Sequence, residues 1–324
     1  MSTSSYCFSD LLRILANNFR LIPHNEPDFI SALEPPQVLV ITGPTATGKT
    51  ALAVQLAAAT DGEIVSADSM QVYKHMDIGT AKPTTTQMQG IRHHMIDVVL
   101  PFESYSVARY VKDASACADD ILMRGKVPIL VGGTGLYIDS LLSGRDFSPR
   151  DCSSYRDELS NEYDLLGGMA MLEKLRDVDP ETADRLHSND KKRILRALEV
   201  YELSGKTISA HNYESQKVPP RYNTVKFILS CPDREVLYKK IDDRVDSMLV
   251  QGLEDEVRAL LDMGVPPNAT AMQAIGYKEL VPVIQEGRNL AEAIVAIKTE
   301  SRRYAKRQLT WLRRSEEHYV LEHM

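Results

Sequence analysis

Two kinds of apolar run alternate in the first half of the chain. Val38-Leu39-Val40-Ile41-Thr42 is short, continuous and rich in β-branched residues, the pattern of a strand covered on both faces of a parallel sheet. Glu63–Ser66, Met95–Val99 and Val127–Val131 repeat that pattern. Between them, apolar positions recur at helical spacing over Lys49–Ala59 and Ser106–Met123. Strands alternating with helices predict an α/β fold with a parallel sheet flanked by helices. From residue 147 to 215 the periodicity is helical and no strand pattern occurs. Thr224–Leu229 then reads as a returning strand, and helices follow, the last over Leu290–Arg314. The expected organisation is a core of residues 37–146 and 216–324, interrupted by a helical insertion at 147–215. Residues 1–36 carry prolines and scattered acids and no long apolar stretch, so an N-terminal extension, poorly ordered, is expected.

Composition narrows the classes. The chain has 324 residues, 43% hydrophobic and 26% charged, an ordinary globular mix with ample material for a core. No apolar run approaches the roughly 20 residues that span a bilayer. Cys7, Cys117, Cys152 and Cys231 form no Cys-x-x-Cys pair, which argues against a zinc ribbon and fits a reducing cytoplasm. His93 and His94 are adjacent, which is poor chelating geometry on a helix or a strand. The net charge of −7 speaks mildly against nucleic acid, but Lys298, Arg302, Arg303, Lys306, Arg307, Arg313 and Arg314 face a single acid, Glu300, in one segment. A local basic patch binds phosphates even on an acidic chain.

Gly43-Pro44-Thr45-Ala46-Thr47-Gly48-Lys49-Thr50 matches G-x-x-x-x-G-K-[ST] between a predicted strand and a predicted helix, the context in which that motif holds phosphate. Glycines let backbone amides turn toward phosphate oxygens, the helix N-terminus adds its dipole, Lys49 brings charge, and Thr50 suits a phosphate-bound magnesium ion. The core is therefore expected to be P-loop NTPase-like. Taken alone, the loop points first to a small-molecule kinase. Asp68 lies just past the second predicted strand, where α/β sheets place their sites. A turn aspartate and a general base or magnesium ligand are both open readings of it.

Further motifs follow in order. They are Asp68-Ser69-Met70-Gln71-Val72-Tyr73, then Met76-Asp77-Ile78-Gly79-Thr80-Ala81-Lys82-Pro83, and Val131-Gly132-Gly133-Thr134-Gly135-Leu136-Tyr137. After them come His187–Arg193, Arg196–Val200, Ser204–Thr207, Ala274–Lys278 and Lys306–Arg313. With the phosphate loop, this set resembles the tRNA dimethylallyltransferase (tRNA isopentenyltransferase) family of bacterial type over residues 38 to 314. No cysteine/histidine finger of the eukaryotic kind follows residue 314.

The resemblance implies transfer of a dimethylallyl group from dimethylallyl diphosphate to N6 of the adenosine immediately 3′ of the anticodon, in tRNAs reading codons that begin with U. The loop would then hold diphosphate, with magnesium on Thr50. Lys49, Asp68 as general base, Thr134 near the reacting centre and Arg244 on the diphosphate would form the catalytic set. Read without the family, Arg244 in Asp242-Asp243-Arg244-Val245-Asp246 suits an ordinary surface ion pair. Asp68, Ser69, Met70, Gln71 and Thr134 would hold the adenine. Arg156, Lys192, Arg193, Ile194, Leu195, Arg196, Gln273, Ala274, Ile275, Gly276, Tyr277 and Lys278 would contact the anticodon stem-loop. A cytoplasmic monomer without a membrane or protein partner is expected. An adenylate isopentenyltransferase shares the phosphate loop, but neither the helical insertion nor the basic helix serves a free nucleotide. A non-catalytic RNA-binding module would need neither the loop nor Asp68.

Overall fold

The computed structural model describes Leu11, Leu15 and residues 18–24, 37–143, 153–215, 217–315 and 318–323. Two compact units divide the chain, one of residues 1–142 and 222–324, the other of residues 143–221. The first is built on a seven-stranded sheet in the order β1-β7-β6-β2-β5-β3-β4. The strands are β1 (Phe19–His24), β2 (Val38–Thr42), β3 (Gly62–Ser66), β4 (His93–His94), β5 (Val127–Gly132), β6 (Thr224–Ser230) and β7 (His318–His323). All neighbours pair in parallel except β1, which runs antiparallel to β7. Every residue of β2, β3 and β5 is buried, as the unbroken apolar runs require.

Helices flank this sheet. They are α1 (Lys49–Thr60), α2 (Thr85–Met88), α3 (Val107–Met123) and α4 (Gly135–Leu142). Ser106 caps α3 by accepting the Arg109 N–H. In the second unit, α5 (Ser153–Val178) is broken at Gly167, and α6 (Pro180–Asp184), α7 (Lys191–Ser204) and α8 (Ile208–Ser215) follow. Leu159, Met171, Leu175, Ile194 and Leu198 form its own small core. The chain re-enters the first unit at β6 and continues through α9 (Arg234–Val250), α10 (Leu253–Asp262), α11 (Tyr277–Glu286) and α12 (Leu290–Leu312).

Three expectations change. The helical unit runs over 143–221, wider than 147–215. The strand expected at Met95–Val99 is instead the two residues His93–His94. Met95 and Asp97 adopt φ of 64° and 56°, which strand backbone cannot accommodate, and Lys82 holds the turn by donating to Asp97 at 2.6 Å and to the Tyr73 carbonyl at 2.6 Å. Val99 keeps one bridge to Tyr73. Part of the N-terminal extension, expected to be poorly ordered, is built into the sheet. Phe19 pairs with His323 and His24 with His318, while Leu11, Leu15 and Phe19 lie in the main core. The rest of that extension lies outside the described residues.

A buried carboxylate fastens the opposite edge. Glu63 on β3 accepts from Arg124, at the end of α3, and is 2.7 Å from His94 Nε2 on β4. The Arg124 hydrogen bonds, aided by His94, outweigh burial and lower the Glu63 pKa to about 2. A carboxylate depressed in the folded state contributes stability that is present above its ordinary pKa and lost as pH falls toward the folded value. Glu63→Gln is therefore expected to lower the melting temperature at pH 7. The gap to wild type should shrink steadily as pH falls below the ordinary glutamate range toward about 2. Thermal melts of both proteins across that range check this, and a pH-independent gap would contradict it.

Candidate active site

The loop after β2 turns on two glycines. Gly43 approaches β6 so closely that a Cβ there would sit 2.6 Å from the Leu229 carbonyl oxygen, and Gly48 takes φ 85° at the start of α1. Ala46, with φ 65°, is held left-handed without being glycine. The Thr47 hydroxyl donates to the Pro44 carbonyl at 2.8 Å. Lys49 Nζ folds back over the loop and donates to the carbonyls of Gly43 (3.0 Å) and Pro44 (2.7 Å). Burial, and then the positive charge of Arg244, lower the Lys49 pKa to about 7, with Asp68 opposing them. Thr50 lines the same cavity.

That cavity measures about 560 Å³ and is walled by Thr45–Thr50, Asp68, Gln71, Thr80, Arg244 and Tyr304. A second lobe of about 310 Å³ adjoins it. Asp68, Thr80, Arg244, Met248 and Tyr304 line both, while Ser69, Met70, Gln273–Gly276, Lys278 and Arg307 line the second alone.

Asp68 is the turn aspartate that one of its two readings expected, and its carboxylate also lines both lobes. Its Oδ1 accepts the N–H of Met70 at 2.9 Å and of Gln71 at 3.4 Å, an Asx-type turn that fixes the carboxylate. Among the described residues nothing donates to Oδ2, which leaves that oxygen free where the lobes meet. Arg244 is half-buried on α9 with no ion-pair partner among the described residues, so the surface salt bridge expected from its acidic neighbours does not form. Burial depresses its pKa, and the charge of Asp68 counters that.

Thr134 receives the Ser69 N–H on Oγ1 at 3.2 Å, and its own N–H donates to the Ala67 carbonyl at 3.2 Å. It braces the Asp68 turn. The Gln71 carboxamide accepts from the Ser66 hydroxyl at 2.9 Å and donates to the Thr80 and Ala81 carbonyls at 3.2 and 3.4 Å.

Two residues of α12 belong to this site although neither was given a role in it from the sequence, Gln308 lying within the Lys306–Arg313 motif and Tyr304 outside any motif. Gln308 is buried. Its Oε1 accepts the Thr45 N–H at 2.9 Å and its Nε2 donates to the Gly133 carbonyl at 3.1 Å, joining the phosphate loop to the turn after β5. Tyr304, one turn earlier, borders both lobes. Its phenol pKa is pushed up to about 12, first by burial and next by Asp68, against hydrogen bonds with Thr134 and Gln308. The signal was present as an i, i+4 pair inside a basic run, but charge dominated the pattern.

The residues expected to contact RNA differ in exposure. Ile194 and Leu195 are buried in the core of the helical unit, so their side chains cannot meet RNA. Tyr277 is fully buried, with its hydroxyl on Glu256. Arg156 and Arg196 both pair with the buried Glu199, at 2.6 and 2.8 Å. Lys192 and Arg193 are exposed. On α12, Lys298 is tied to Asp246, Arg302 to Asp242 and Arg303 to Glu300. The net positive face is thus narrower than the sequence suggests, with Lys306 and Arg307 exposed and Arg307 lining the second lobe.

A family model described as IPP transferase matches residues 71–315, and one described as isopentenyl transferase matches residues 36–100. The chain belongs to the IPP transferase family. It is 48% identical over 283 residues to the tRNA dimethylallyltransferase of Acetivibrio thermocellus (87% of this chain, 90% of the relative). It is 50% identical over 279 residues to that of Caldanaerobacter subterraneus (86% and 89%). Among solved structures, the full-length tRNA isopentenylpyrophosphate transferase of Bacillus halodurans matches with a TM-score of 0.64 at 40% identity, covering 88% of this chain and 89% of that one. A eukaryotic dimethylallyltransferase acting on tRNA matches with a TM-score of 0.75 at 32% identity, covering 88% and 73%. The P-loop NTPase-like fold expected from the sequence is the fold of this family. Membership also sets aside the kinase reading that the loop alone had favoured.

Lys49→Ala and Thr50→Ala are each expected to reduce prenyl transfer by about 10²–10³-fold, the usual cost of one electrostatic contact to a leaving group. Single-turnover assays check this, and near-normal rates in either variant would refute the loop's role.

Proposed function

We propose that this IPP transferase moves a dimethylallyl group from dimethylallyl diphosphate to N6 of the adenosine immediately 3′ of the anticodon, in tRNAs reading codons that begin with U, and releases diphosphate. The observation that carries this reading is the position of Asp68, whose free oxygen stands where a phosphate-binding lobe meets a second lobe walled by Ser69, Met70 and Gln273–Gly276. The names of the tRNA-modifying relatives support the acceptor.

Diphosphate enters the first lobe beside Lys49, Arg244 and the amides of the loop. The adenine leaves its stack, which an anticodon-loop base does at low cost, and enters the second lobe. The carbon–oxygen bond at C1 of the donor then breaks, with its electron pair passing to diphosphate. The N6 lone pair forms the new bond to C1, and the N6 proton goes to Oδ2 of Asp68. Lys49, Arg244 and the loop amides stabilise the charge that grows on the leaving group. Among the described residues no cluster of His, Cys, Asp or Glu could hold a metal by itself. Thr50 would be the protein ligand of a magnesium ion bound with diphosphate, and that ion would supply further charge neutralisation. No helix among the described residues is long and apolar enough to cross a membrane.

Asp68→Asn keeps size and turn geometry but is a far weaker base. Single-turnover rate is expected to fall by about 10²–10⁴-fold while tRNA affinity holds, since RNA contacts are spread over a wide surface. A role confined to magnesium would instead weaken donor binding and raise the magnesium requirement. A near-wild-type rate would refute both roles.

Neutralising Lys306 and Arg307 together is expected to weaken tRNA binding, flatten its log–log salt dependence and leave donor binding intact. Filter binding at several salt concentrations measures this, and an unchanged slope would mark both as solvated side chains.

A further inference from the structure

The segment that follows the Asp68 turn is gripped from outside the cavity by one carboxylate. Glu256 on α10 accepts three consecutive backbone N–H groups, those of Asp77 and Ile78 at 2.8 Å on Oε2 and that of Gly79 at 3.0 Å on Oε1. The Tyr277 hydroxyl adds a fourth donor at 2.5 Å on Oε1. Hydrogen bonds to an ionised acceptor are the strong kind, and three successive amides aimed at one carboxylate fix backbone, not merely a side chain. Burial, and then the charge of Glu256, raise the Tyr277 pKa above its ordinary value, so the phenol remains a donor. There is no slack between the partners. A Cβ on Gly79 would stand 2.4 Å from the Tyr277 ring.

The same segment forms a wall of both lobes. Ile78, Thr80 and Ala81 face the phosphate lobe, and Gly79 and Thr80 face the second. From the cavity side, the Gln71 carboxamide holds Thr80 and Ala81, while the Gln71 N–H rests on Asp68 Oδ1. Glu256 lines neither lobe. It fixes the outer end of a chain of contacts whose inner end is the Asp68 carboxylate.

We propose that Glu256 is a positioning residue for the transfer. It holds residues 77–81 so that the wall of the second lobe stands at reacting distance from the free oxygen of Asp68. This rests on the reading of that lobe as the acceptor side. Removing the anchor misaligns the acceptor and leaves the phosphate loop, built by β2, α1 and Gln308, as it was.

Two variants reach the segment independently. Glu256→Gln keeps the volume but presents an NH2 group to backbone donors, and Gly79→Ala forces the segment off Tyr277 while leaving the charge of Glu256 in place. Both are compared with wild type on a synthetic anticodon stem-loop with dimethylallyl diphosphate. Fold integrity is checked by thermal melting with and without inorganic diphosphate. Each folded variant is expected to lose about 10²-fold in single-turnover rate at saturating donor, the scale of a roughly 1 Å misplacement, and to raise KM for the stem-loop. Affinity for inorganic diphosphate should stay at the wild-type value. Should Glu256→Gln not fold, Gly79→Ala decides alone. Wild-type turnover in either folded variant, or a loss confined to diphosphate affinity, would overturn the role of Glu256. A wild-type protein inactive on the stem-loop would instead count against the acceptor reading itself, and the role of Glu256 would fall with it.

Discussion

Ala67 and Gly132 meet with no room between them for a side chain, and the rest of the site follows from that contact. A Cβ on Gly132 would lie 2.2 Å from the Ala67 carbonyl oxygen. The approach lets the ladder between β3 and β5 run one step beyond the sheet. Ala67 donates to Val131 at 2.7 Å, and Thr134 donates back to Ala67 at 3.2 Å. Asp68 is the next residue out, so its carboxylate leaves the sheet beside the phosphate loop. Parallel strands direct all their carboxyl ends to one edge, and the fold thereby gathers Lys49, Asp68 and the turn before Thr134 without any long loop.

The charges gathered there are not balanced within the protein. Burial disfavours the charged forms of both Lys49 and Arg244, and the charge of Arg244 further disfavours that of Lys49. Asp68 is the acid that opposes those shifts, and one of its oxygens is committed to the turn. An anion between the two cations removes the repulsion that the folded chain otherwise carries. Residues with perturbed ionisation in a cleft are a mark of sites shaped for a ligand and not for stability.

Helix α12 joins the two halves of the task. Its inner face carries Tyr304, Gln308 and Trp311, which reach the cavities, the phosphate loop and Asp139. Its outer face carries Arg303, Lys306 and Thr310. A helix that packs one stripe inward and offers the other to solvent can hold a phosphate site and meet a polyanion at once, because residues four apart share a face while those two apart do not.

The order of buried strands and helices was legible in the sequence because each strand of a covered sheet leaves an unbroken apolar run. The phosphate loop and Asp68 were legible because their chemistry demands fixed residue types at fixed spacing. Other features depended on distant partners. β1 and β7 stabilise each other across almost the whole chain, so neither six-residue segment announces itself alone. The turn at Met95–Asp97 follows from where Lys82 arrives. Ile194, Leu195 and Tyr277 sit inside motifs that look RNA-facing, yet the turn of each helix points them into a core. Arg302 looked free for RNA until α9 brought Asp242 against it. Sequence by itself determined which local patterns exist and which chemistry they can perform. Only the tertiary structure decided which side chains face the cavity, because burial and ion pairing are set by residues far apart in the chain.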